Sequence, residues 1–151
     1  PEGYEAMVAD VVQSIKGFEA KHRFGARIAG SRAHFLGTSG TVTTISGIHL
    51  KLPVYERSRV DGCWLNASDV RAVSKSLLSM SYAERVAQPC IGHERADLVL
   101  AGCAILEALL RIWPCQRLRV ADRGLREGIL ATLMAEDGHD RKGRQSSEQG
   151  R

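Results

Sequence analysis

The sequence is short of aromatics, of long apolar runs, of paired cysteines and of clustered histidines, and each shortage removes a class of function. Phe, Trp and Tyr make up only 5% of 151 residues, too little for a nucleic-acid platform built on base stacking. The longest uncharged apolar run, Leu98 to Leu106, falls well short of the roughly 20 residues that span a bilayer, and the start of the chain shows no basic-then-apolar leader. Neither a membrane nor a nucleic acid is therefore expected as a partner. Cys63, Cys90, Cys103 and Cys115 form no Cys-x-x-Cys pair. Buried reduced thiols in a cytoplasmic protein are expected, rather than a zinc site or a disulfide framework. His22, His34, His49, His93 and His139 have no metal-ligand spacing, and no Ser-His-Asp or Cys-His set can be built from spacing.

What remains is about one domain's worth of chain with 44% hydrophobic residues and a net charge of +4. Sixteen of its twenty-one basic residues are arginine. The guanidinium fork binds phosphate and carboxylate oxygens bidentately, so anionic ligands are expected, although a coding bias toward arginine would give the same count.

The stretch Leu36-Gly37-Thr38-Ser39-Gly40-Thr41-Val42-Thr43-Thr44 carries the chemistry. An expected strand, Ala33 to Leu36, runs into a small-residue turn and out into a helix over Thr41 to His49. Gly37 and Gly40 permit close approaches, the hydroxyls supply donors, and the first helical amides point at whatever fills the turn. Ordinary turns and caps use the same residues. Thr43 and Thr44 are expected to serve the helix by back-bonding to the preceding turn.

Around this loop the spacing of apolar residues predicts a first helix over Tyr4 to Lys16, which Gly17 either ends or weakens, and then a polar connection from Phe18 to Arg32. Val54 to Leu65 reads as a loop with a short strand. Asn66 with Asp69, and Ser81 with Glu84, open two helices by capping boxes. Arg95 to Trp113 is expected to be a helix buried on most sides, with Gly102 marking a close backbone approach. Arg117 to Ala121 alternates as a half-buried strand, Asp122 is a candidate cap, and Leu125 to Met134 is the last helix. Residues 136–151 read as a disordered polar tail after a domain of residues 1–135. Two strand-turn-helix units around one apolar helix define a helix-rich α/β layer with two or three short strands, few enough that further strands are expected upstream of Pro1.

Three motifs in order, Phe35 to Thr44, Glu94-Arg95-Ala96-Asp97-Leu98-Val99-Leu100-Ala101-Gly102 and Asp122-Arg123-Gly124-Leu125-Arg126-Glu127-Gly128, resemble the Ppx/GppA family of exopolyphosphatases and guanosine pentaphosphate phosphohydrolases. The resemblance implies a partial ribonuclease-H-like lobe of the actin-like ATPase fold, corresponding to the later part of the second lobe. It places Gly37, Thr38, Ser39, Gly40 and Thr41 on the phosphate; Arg95, a charge at the start of an apolar helix, and Arg123, at a strand-to-helix corner, are further candidate binding residues. For Arg95 the alternative is a surface pair with Glu94 or Asp97, and for Arg123 and Arg126 a pair with Asp122 or Glu127. The resemblance also implies a missing N-terminal lobe carrying the catalytic glutamate and the ligands for Mg2+. No catalytic residue and no metal ligand is assigned to this chain. Polyphosphate or guanosine pentaphosphate is the expected partner, and the resemblance is compatible with a homodimer. The alternative function is a non-catalytic anion-binding or regulatory module.

Overall fold

The computed structural model describes residues 2–137; the expected tail lies outside them from residue 138 onward. Three short strands form one mixed sheet in the order β1-β3-β2. Strand β1 (Phe35–Gly37) runs parallel to β3 (Arg117–Val120), and β2 (Trp64–Asn66) runs antiparallel to it on the other side. Register sets the faces: Phe35 stands opposite Leu118 and Leu36 opposite Arg119, so period-two alternation sends Leu118 and Val120 inward and the arginines outward.

The inner face is covered by α3 (Gly40–His49), α5 (Ala67–Ser79) and α7 (Leu98–Ile112). Their apolar stripes meet the sheet in one core that includes Ile45, Val70, Leu77, Cys103, Leu65 and Leu118. Helix α1 (Glu2–His22) packs along α7 through Val8, Ala104 and Ala108, and Arg111 clamps Glu5 with two bonds of 2.9 and 3.0 Å. The short helices α2 (Phe24–Ile28), α4 (Arg57–Val60) and α6 (Tyr82–Val86) lie in the connections, and α8 (Leu125–Glu136) closes the described chain.

Several expectations are corrected. Helix α1 continues through Gly17, which faces open space; a glycine there costs about 1 kcal/mol of helix propensity. Its last turns are held by the Trp113 indole donating to Glu19 at 2.6 Å and by Phe18 stacked on Phe24. The polar connection is therefore mostly helix. The apolar helix begins at Leu98, not Arg95, and it is not covered all round: Leu98 is 68% exposed. Gly102 accommodates the Thr41 side chain rather than another backbone. The two capping boxes form as expected: the Asn66 and Ser81 amides donate to Asp69 and Glu84 at 2.8 and 2.7 Å. The four cysteines are free, three of them buried. Helix α8 runs to Glu136, two residues past its expected end.

Candidate functional site

Because β1 and β3 are parallel, their carboxyl ends open on the same edge of the sheet, where ligands of open α/β sheets are bound. The turn after β1 supplies Thr38 and Ser39. Ser39 caps α3, its Oγ accepting from the Val42 amide at 3.4 Å, and Thr43 back-bonds to the Gly40 carbonyl at 3.0 Å. The amides of Gly40 and Thr41 then have no partner within the helix, and the helix dipole favours an anion beside them. Gly37 is required by the tightness of the turn: a Cβ there would lie 2.7 Å from Val42 Cγ1.

Arg95 sits in a single 3-10 turn, His93–Arg95, ahead of α7. Its side chain lies on the loop. A Cβ on Gly40 would come within 2.9 Å of Arg95 Nη1, which donates to the Gly40 carbonyl at 3.4 Å. Arg95 forms no ion pair with Glu94 or Asp97 among the described residues. Beside it opens a cavity of about 440 Å³ walled by Gly40, Tyr55, Ile91 and Asp122.

The corner after β3 is built differently from the expectation. Gly124, not Asp122, is the N-cap of α8, and its amide donates to Glu127 at 2.8 Å. That backbone bond, helped by Arg57, holds the Glu127 carboxyl down at about 2. Arg57 Nη2 reaches Glu127 at 3.2 Å and donates to the Asp122 carbonyl, while its Nε lies 3.5 Å from the Asp122 carboxylate. Arg123 pairs at 3.0 Å with Asp61, rather than with Asp122 or Glu127. Arg126 has no ion pair among the described residues. Tyr55 donates to Asp122 at 2.7 Å. Partial burial, reinforced by that carboxylate, pushes its phenol up to about 12, so it stays a donor through the neutral range. A groove of about 370 Å³ then brings Thr38 together with Arg57, Arg123 and Arg126.

The predicted residues thus fall around one edge: the Gly37–Thr41 loop at the centre, Arg95 on one side and Arg123 on the other. Sequence reasoning missed Tyr55, Arg57 and Asp61. They arrive from a segment more than sixty residues before the corner they bind, and the one visible signal was the charged run Glu56 to Arg59. No three His, Cys, Asp or Glu side chains converge as a metal site among the described residues. Asp61, Asp122 and Glu127 are each engaged by arginine, tyrosine or a backbone amide, so these carboxylates do not fit a Mg2+ cage.

A helix-covered sheet with a glycine and hydroxyl loop at its carboxyl edge defines an α/β lobe, similar in fold to solved structures of the actin-like type. The chain belongs to the Ppx/GppA phosphatase family, whose profile matches residues 4–137. Among solved structures it is similar to an exopolyphosphatase-like protein, with 28% identity, a TM-score of 0.72 and coverage of 85% of this chain and 41% of that one. It is also similar to the Aquifex aeolicus PPX-GPPA enzyme, with 28% identity, a TM-score of 0.62 and coverage of 66% of this chain and 34% of that one. An exopolyphosphatase from Cytophaga hutchinsonii, 20% identical with a TM-score of 0.66 over 85% of this chain and 42% of that one, shares the fold. The chain therefore spans about two fifths or less of each of these relatives. No curated protein matches it in sequence. No helix among the described residues is long and apolar enough to cross a membrane.

Proposed function

We propose that this chain forms one wall of the phosphate cleft of a cytoplasmic phosphohydrolase that cleaves terminal phosphoanhydride bonds of inorganic polyphosphate or the 5′-terminal phosphate of guanosine pentaphosphate. The observation that carries the reading is the Arg95 guanidinium resting on Gly40 at the first turn of α3, beside the free amides of Gly40 and Thr41. Amides at a helix N-terminus and a guanidinium together neutralise charge on phosphoryl oxygens, which is most of what catalysis of phosphoryl transfer requires from a binding wall. Thr38 and Ser39 add hydroxyl donors, and Arg123, tied to Asp61, borders the same cleft.

The water-activating carboxylate and the Mg2+ ligands are assigned to a lobe outside this chain. The carboxylates of the corner beside the loop, Asp61, Asp122 and Glu127, are each engaged by another group, which also favours the alternative of a non-catalytic anion-binding module. Calorimetry with polyphosphate tests the cleft: Gly40→Val drives its side chain into Arg95 and is expected to weaken binding at least about tenfold, the loss of one charge-assisted contact. Identical titrations overturn the loop as a ligand site. Phosphate release by the chain alone above a no-protein control overturns the assignment of the carboxylate to another lobe.

A further inference from the structure

We propose that the outward face of the sheet is a track for a polyphosphate chain, with Arg117, Arg119 and Arg123 leading the polyanion into the cleft; the inference rests on the reading of that cleft as a polyphosphate site. Alternation along β3 places Arg117 and Arg119 on the exposed face, about 6.6 Å apart along the strand. Both guanidiniums lie over Trp64 on the neighbouring strand, at 4.7 and 5.3 Å from the ring centroid. The indole restrains two arginine side chains that would otherwise sample many rotamers. Neither has a carboxylate partner among the described residues.

The row continues to the cleft. Arg119 Nη2 lies against Gly62, 3.5 Å from where a Cβ would stand, and the adjacent Asp61 holds Arg123, which borders the groove with Thr38. Arg117, Arg119 and Arg123 therefore follow one another from the middle of the sheet toward the loop, the last of them paired with the Asp61 carboxylate. Their arrangement selects a chain of phosphates rather than a nucleic acid. The Trp64 ring, the one large aromatic on this face among the described residues, is taken by guanidiniums and by the edge-on ring of His34 at 4.7 Å. That leaves no open aromatic platform for bases, while guanidinium edges suit phosphate oxygens.

Chain length is the discriminating variable. Long-chain polyphosphate and tripolyphosphate are titrated by calorimetry into the full chain, the double variant Arg117→Ala/Arg119→Ala, and Gly40→Val, with circular dichroism verifying that each is folded. The double variant is expected to bind long-chain polyphosphate about tenfold more weakly, while tripolyphosphate, which occupies only the cleft, changes less than about twofold. Arg117→Lys/Arg119→Lys, which keeps the charge and loses the fork, should fall between. Equal losses for both lengths, or no loss for the long chain, overturn the track. So does a single-stranded RNA that binds more tightly than long-chain polyphosphate and loses its affinity in the double variant. The cleft reading fails separately, if Gly40→Val leaves tripolyphosphate binding unchanged.

Discussion

Helices α7 and α8 are alike in sequence character and opposite in circumstance. Both are rich in leucine, alanine and isoleucine, and both follow a short turn. Helix α7 buries Val99, Cys103, Ala104, Leu106, Ala108 and Leu110 between α1 on one side and the sheet helices on the other. Helix α8 buries none of its residues and leaves Leu125 81% exposed, with Ile129, Leu130, Leu133 and Met134 at half exposure or more. An apolar stripe specifies that a helix forms; a facing element decides whether the stripe is worth anything to stability. For α8 the local signals are a glycine N-cap, a glutamate three residues on and a run of good helix formers.

The largest test sets the core against that exposed helix. Leu118→Ala, at a position 1% exposed under α3 and α7, should cost about 3 kcal/mol in denaturant unfolding. Leu130→Ala on α8 should stay within about 0.5 kcal/mol. If the two losses were equal, α8 would be packed in solution against a surface other than the described residues.

A smaller effect, about 1 to 2 kcal/mol, is expected where α7 meets the phosphate loop. Gly102→Ala places a Cβ into the Thr41 side chain, and overpacking of a fitted contact outweighs the helix propensity gained over glycine. In a Thr41→Ala background part of the cost should be recovered, giving a coupling of about 1 kcal/mol in a double-mutant cycle. Additive losses would show that Gly102 and the loop do not communicate, and α7 would then be core alone rather than core and site support.

The same contrast explains what the sequence disclosed. Periodicity and caps located α3, α5, α7 and β3, because Val42, Ile45, Val70, Leu77, Leu118 and Val120 are buried by the spacing that identifies them. Motif order located the loop and Arg95. What periodicity could not supply was any partner distant in sequence. The extension of α1 past Gly17 depends on Trp113 and Glu19, ninety-four residues apart. The corner at Asp122 depends on Tyr55, Arg57 and Asp61. Nor could apolarity at Leu98 or Leu125 reveal that no neighbour among the described residues covers them, since composition carries a residue's preference and not its surroundings.

The smallest expected effect isolates what α8 has in place of burial. Its first turn is tied by the Glu127 carboxylate, which accepts from the Gly124 amide and pairs with Arg57. The folded carboxyl titrates at about 2, below its ordinary 4.5. The folded state thus favours the ionised form, and the contribution is fully present above the ordinary value and lost as pH falls from about 4.5 through about 2. Amide exchange followed across that range should show the first turn of α8 losing protection before the amides of α7. Glu127→Gln should make that turn's protection lower at neutral pH and insensitive to acid in this window, because the amide side chain neither titrates nor pairs with Arg57. If the variant kept the acid response, the carboxylate would not be what holds α8 to the corner, and its apolar stripe would have to be doing so instead. That outcome would bring α8 back to the rule that governs α7.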